Sequence, residues 1–200
     1  MRVSELTRLL VAIGAGDHGA AAGLLDATPS LAMARVARRD EFFLADRRAQ
    51  VYEGDTALHA AAFSYDVQMA RELVRCGAGV RARNRRGAEP LHAAMMGAPG
   101  SPTWNPRRQR DVILYLVEAG ADPNAAAAGG VTPLHRAVRN RCSAAVETLL
   151  GVGADPRLAN DRGSTASDLV HWTTGRGGTG DAEAKAEQRI IAELLHIDAL

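Results

Sequence analysis

His59, His92 and His135 each close a copy of one short phrase, and imidazole is the commonest metal ligand and general base. A zinc site, however, needs its ligands gathered within roughly 2 Å of one ion. Histidines that recur at one repeat position spread along an axis instead, so no metal site is expected from them. A second chemical candidate is Gly175-Arg176-Gly177-Gly178-Thr179-Gly180, which fits the pattern G-x-G-x-x-G. The dinucleotide fingerprint also needs a strand before the loop and an acidic residue about twenty positions later. Here the preceding segment reads as a helix, and no Gly-Lys-Ser/Thr phosphate loop occurs. What survives is an anion-binding reading of Arg176, Gly177 and Gly178, in which loop amides and a guanidinium grip a nucleotide, a small anion or an anionic group on a partner. The alternative is a plain surface insertion. Asp17 and His18 are neighbours, but nothing brings a serine, a histidine and a carboxylate together. No catalytic residue and no cofactor is expected.

The elements that position these residues are read from the repeats. The phrase runs Gly54-Asp55-Thr56-Ala57-Leu58-His59, Gly87-Ala88-Glu89-Pro90-Leu91-His92 and Gly130-Val131-Thr132-Pro133-Leu134-His135, with a degenerate copy at Gly163-Ser164-Thr165-Ala166-Ser167-Asp168. The steps are 33, 43 and 33 residues. The second halves recur too: Leu116-Val117-Glu118-Ala119-Gly120-Ala121-Asp122-Pro123 returns 33 residues on as Leu149-Leu150-Gly151-Val152-Gly153-Ala154-Asp155-Pro156. The extra residues of the long step therefore fall between the halves of one unit, at Ala98 to Arg110, which holds Trp104. Further insertions are read within Asp26 to Tyr52 and at Thr173 to Asp181. Weaker copies begin near Leu9 and end at Ile190-Ile191.

A period of 33 opened by Thr-Pro-Leu-His resembles the ankyrin-repeat family. The likeness runs from about residue 4 to 197 and is similar to short stand-alone bacterial members. It implies an all-α solenoid of about five helix-turn-helix units with finger loops and three insertions. The units fall at about 4–35, 52–84, 85–127, 128–160 and 161–197 of a single domain. It also implies that Thr56, His59, His92, Thr132 and His135 are structural, each histidine tying its turn to the next unit.

The residues themselves explain one unit. Thr132 can cap a helix that Pro133 begins, since the first helical position needs no N–H. Ala137 is small enough for a neighbouring helix to approach. Val146, Leu149 and Leu150 give the second helix its apolar face, and Gly153 ends it in a left-handed conformation. In the third unit Glu89 replaces the capping threonine. A lost cap typically costs about 0.5–2 kcal/mol, so that helix is expected to be poorly anchored.

A noncatalytic role follows from the resemblance: binding another protein through the fingers and the concave first-helix face. Arg81, Arg83 and Arg85 cluster in one finger with Arg86, and Arg35, Arg38, Arg39, Arg47 and Arg48 form a second basic group. Lined up, the clusters would make a positive strip suited to an acidic protein surface. Phe63, Tyr65, Met96, Arg136 and Arg139 are expected on the concave face. Trp104 reads as an anchor, docked either on the array or in a partner. Of 24 basic residues 23 are arginine, yet the net charge is only +1, so neither a nucleic acid nor a membrane is the expected partner. Cys76 and Cys142 fall two units apart and cannot pair. Free thiols, no secretion signal and no long apolar run give a cytoplasmic expectation.

Overall fold

In a computed structural model of the chain, residues 4–44, 49–170 and 182–196 are described. Their helices fall into pairs. These are α1 (Glu5–Ala15) with α2 (His18–Ala27), α3 (Ala57–Phe63) with α4 (Val67–Arg75), and α5 (Pro90–Ala94) with α6 (Pro106–Glu118). Then come α7 (Pro133–Arg139) with α8 (Ser143–Gly151), and α9 (Ala166–Val170) with α10 (Ala182–Leu194). The first helices stack in order, α1 on α3, α3 on α5, α5 on α7 and α7 on α9. The second helices form an outer row in which α4 meets α6, α6 meets α8 and α8 meets α10.

The stack is close because the first helices are built from small residues. Ala61, Ala94 and Ala137, each two positions after the repeat histidine, are wholly buried. Leu58, Leu91 and Leu134 fill the seam beside them, and Leu73, Leu116 and Leu149 do the same for the outer row. No pair could hide this surface alone, so each unit's burial depends on its neighbours. Gly153 ends α8 with φ of 93°, a conformation that costs a side chain energy and glycine nothing.

Two ladders tie the units together. His59 Nε2–H donates to the Ala88 carbonyl at 3.0 Å, His92 to Val131 at 3.1 Å and His135 to Ser164 at 3.0 Å. A carbonyl can only accept, so in each ring Nε2 carries the proton. The other nitrogen, Nδ1, accepts from the amide at the helix cap: Thr56, Glu89 or Thr132. The second ladder is backbone alone. The amides of Arg85, Ala128 and Asp161 donate to the carbonyls of Glu53, Arg86 and Gly129 at 2.8, 2.9 and 3.0 Å. Fingers approach so closely that a Cβ on Gly130 would lie 2.7 Å from the Asp161 nitrogen. The degenerate phrase keeps half of this chemistry: Asp168 accepts from the Thr165 amide at 2.7 Å, where the other units use histidine.

Three expectations change. Glu89 is held as well as capping: it sits in a capping box with His92, lies 1 % exposed, and accepts from Arg83 Nε at 3.0 Å through Oε1, while Oε2 has no hydrogen-bond partner. The Ala98 to Arg110 insertion is only partly loop. Asn105 caps α6 by accepting from the Arg108 amide, and α6 runs thirteen residues where α4 and α8 each run nine. The insertion after α2 carries strand: β1 (Phe42–Leu44) pairs antiparallel with β2 (Ala49–Val51), Phe42 opposite Val51. Leu44 is buried and packs on α1 at Gly14, where an added Cβ would come within 2.6 Å of Leu44 Cδ2.

Candidate functional site: a cleft between the hairpin and the first helices

The hairpin does not lie idle on the array. It forms one wall of a cleft of about 270 Å³ whose floor is Leu10 of α1, Ala60 of α3 and Ala93 of α5. Phe43, Leu44 and Val51 supply the wall, and Phe63 and Met96 close the far side. Phe43 is 59 % exposed and Met96 40 %, a large apolar outlay at an open site.

A buried acid fixes the rim. Asp55 accepts from the Tyr52 amide at 2.7 Å and from Asn84 Nδ2 at 2.8 Å, while its Oδ1 lies 3.7 Å from His59 Nε2. Burial still dominates at His59 and pulls its pKa below the usual histidine value, the Asp55 charge opposing this in part. His92 is pushed down to about 3, first by burial and then by the nearby Arg136 charge. Both rings are therefore neutral hydrogen-bonding parts of the scaffold.

Arg136 reaches into the cleft from α7. Its Nη1 donates to the His92 carbonyl at 3.2 Å. Burial, with Arg86 and Arg139 nearby, lowers its pKa to about 10, so it remains a cation at neutral pH. On its other side a second depression of about 460 Å³ is lined by Arg86, Arg139 and Arg162 together with Asp161 and His135. Arg86 also stands over the Tyr52 ring, 5.3 Å from its centroid, and donates to the Tyr52 hydroxyl at 3.1 Å.

Against the expected residues, the cleft brings Phe63, Met96 and Arg136 together, with Arg139 in the adjoining depression. Tyr65 is corrected. Its φ of 54° turns it inward at the α3–α4 turn, the ring is buried, and its hydroxyl donates to the Met96 carbonyl at 3.2 Å. Trp104 docks on the array: half-buried, it donates from Nε1 to Gln109 Oε1 at 3.0 Å. The open positive strip is corrected as well. Arg83 pairs with Glu89 at 3.0 Å and Arg81 with Asp122 at 3.5 Å, and Arg85 holds Glu41. That last pair lowers the Glu41 pKa, and Glu41 also accepts from the Glu53 amide at 2.8 Å, so Arg85 ties the hairpin's base to the finger. Arg47 and Arg48 lie outside the described residues, as do Arg176, Gly177 and Gly178. Sequence reasoning missed Phe43, Tyr52, Asp55 and Arg162. A signal existed for Arg162: it precedes Gly163 as Arg86 precedes Gly87, in fingers that both start with asparagine, Asn160 and Asn84.

Among the described residues, no group of three or more histidines, cysteines or acids could hold a metal, and no helix is long and apolar enough to cross a membrane. Cys76 and Cys142 are both free thiols. The buried Cys142 thiol is pushed up to about 12 by desolvation, which makes it inert.

Comparison with known proteins agrees with this architecture. Over 115 residues the chain is 39 % identical to the mouse (Mus musculus) ankyrin repeat and SOCS box protein 16, covering 58 % of this chain and 25 % of that protein. It is 34 % identical over 122 residues to the human BCL-6 corepressor-like protein 1, covering 60 % of this chain and 6 % of the other. It is 34 % identical over 65 residues to the zebrafish (Danio rerio) Notch-regulated ankyrin repeat-containing protein A, covering 32 % of this chain and 49 % of the other. The chain thus spans about a quarter of the mouse relative's length. These relatives are animal proteins, and the likeness to short bacterial members is not borne out. Residues 9–127 match a family model described as ankyrin repeats in three copies, and residues 116–170 one described as ankyrin repeats in many copies. With more than half its length so matched, and with both ladders holding the units in register, the chain belongs to the ankyrin-repeat family.

Proposed function

We propose that the chain is a noncatalytic module, one domain throughout, that binds another protein across the concave face of its first helices and the adjoining fingers. Ankyrin-repeat proteins in general bind other proteins, which supports the class of function. The observation that carries the reading for this chain is the cleft, where Phe63, Met96 and Arg136 from three successive units face one opening. Interface cores are enriched in aromatic, methionine and arginine side chains. The surface is preformed, because its floor is the stacked core itself, so little ordering opposes binding. Free Cys76 and Cys142 support a reducing, cytoplasmic setting.

The test is capture of partners from native lysate with four forms of the protein: wild type, Met96→Glu on the concave face, a triple alanine variant of Arg81, Arg83 and Arg85, and Leu114→Glu. Leu114 lies exposed on α6 of the outer row and serves as the control. The expected result is a band lost with Met96→Glu and kept with Leu114→Glu, with circular dichroism showing both folded. A band that survives both the concave and the finger variants and disappears with Leu114→Glu places binding on the outer row, contrary to the proposal.

A further inference from the structure

Apart from Arg35, which meets no carboxylate among the described residues and donates to the Arg83 carbonyl at 2.8 Å, the ion pairs divide the arginines of α7 and the fingers into two groups. Arg81, Arg83 and Arg85 each meet a carboxylate of the chain itself, Asp122, Glu89 and Glu41. Arg86, Arg136, Arg139 and Arg162 meet none among the described residues, although Asp161 lines the same depression as three of them. The unpaired group is contiguous. Arg136 and Arg139 stand one helical turn apart on α7, the first in the cleft and the second in the depression beside it, with Arg86 and Arg162 from two fingers on the same depression. Arg136 is the telling member. A half-buried cation is stabilised by an anionic partner, because desolvation without pairing is costly. Here its guanidinium donates to a neutral carbonyl, and the one acid in the same cleft, Asp55, forms no ion pair with it among the described residues and instead accepts from the Tyr52 amide and Asn84.

Beside this cation lies the apolar half of the cleft. The whole cleft, at about 270 Å³, is near the lower end of the roughly 300–1,000 Å³ typical of small-molecule sites. It suits one or two side chains better than a whole ligand, and its wall belongs to the inserted hairpin rather than to the repeats. Resting on the reading that the concave face binds protein, we infer that this cleft takes an acidic peptide segment of the partner. The segment seats one bulky apolar side chain against Phe43, Phe63 and Met96, places an adjacent carboxylate on Arg136, and runs further acidic residues along Arg139, Arg86 and Arg162. A polyanion such as a nucleic acid would satisfy the arginines and leave the aliphatic floor of Leu10, Ala60 and Ala93 without a match.

The experiment is selection of a random peptide display library on the full chain, followed by fluorescence anisotropy of the best labelled peptide. The expected peptides combine a bulky apolar residue with neighbouring aspartate or glutamate. Their affinity should fall with added salt, and should drop about tenfold or more for Arg136→Gln and for Phe43→Ser, the scale of a central interface residue. Arg136→Lys, which keeps charge without the planar fork, should fall between. Phe43 is exposed, so its substitution leaves the array folded and keeps the test valid if Arg136→Gln does not fold. Selected peptides that lack acidic residues, or bind Arg136→Gln and Phe43→Ser as well as wild type, overturn the proposal. So does single-stranded oligothymidine binding more tightly than the best peptide, or a library that yields no binder. Loss of binding in the Arg81, Arg83 and Arg85 variant alone would overturn the cleft as the docking point while leaving the wider protein-binding reading intact.

Discussion

At the scale of residues, the histidines are where chemistry and architecture meet. The His59 and His92 rings stay neutral, since burial lowers both pKa values while Nδ1 accepts at its own helix cap and Nε2–H donates to the next unit. For His92 the folded pKa is about 3 against about 6.5 unfolded. Between those values the unfolded chain binds the extra proton, so stability is fully present above about pH 6.5 and is lost as pH falls. One such histidine gives a slope of about 1.4 kcal/mol per pH unit, and His59, shifted the same way, adds to it. Urea unfolding at pH 7 and pH 5 is expected to show this loss. His92→Gln, which cannot titrate, should lower stability at pH 7 yet flatten the pH dependence; an unchanged slope would mean His92 does not stay neutral in the fold. Glu89 makes a second residue-level prediction. Glu89→Ala removes both the cap and the partner of Arg83, and should cost about 1–2 kcal/mol of stability, measured by urea unfolding. Glu89→Thr, which restores the usual cap and removes a buried charge, should cost less. Equal losses would show that capping is not what Glu89 contributes.

At the scale of elements, the hairpin is the addition that turns a generic concave face into a cleft. It is held by Leu44 on Gly14 and by Arg85 on Glu41. Gly14→Ala places a Cβ within 2.6 Å of Leu44 Cδ2, so the hairpin must shift although α1 gains a better helix former. Hydrogen exchange should report faster exchange at the β2 amides with α3 unchanged, and undisturbed β2 amides would show that Leu44 does not seat the hairpin. The repeat helices were legible in sequence because each carries its own punctuation: a capping residue, Pro at the first turn, apolar residues at helical spacing and a glycine after the second helix. The hairpin was not. Phe42-Phe43-Leu44 and Ala49-Gln50-Val51 are too short to show an alternating pattern, and the packing of Leu44 on Gly14 of α1 is a distant contact that no local pattern reveals. Tyr65 failed for a related reason. Position in a repeat told that it follows α3, but only its left-handed backbone tells that it turns inward. The finger arginines looked free because Glu41, Glu89 and Asp122 lie up to 44 residues from them in the chain.

At the scale of the whole molecule, two ladders cross the same interfaces between neighbouring units. Each histidine bond and each finger bond joins only adjacent units, so stability is a sum of neighbour terms, and the concave face is as continuous as the stack beneath it. That face is asymmetric in charge. Arg81, Arg83 and Arg85 each meet an acid in an ion pair, whereas Arg136 forms none among the described residues, and Asp55 acts on it only as a nearby charge. A partner reading this surface should therefore be steered toward α7 and the hairpin rather than along the whole row of fingers. The most direct measurement of this claim is site-specific photocrosslinking in the native lysate, with a benzoyl-phenylalanine placed in turn at Phe43, Met96 and Leu114. A common adduct formed from Phe43 and Met96 and absent from Leu114 is the predicted result; an adduct formed from Leu114 and from neither concave position would contradict it.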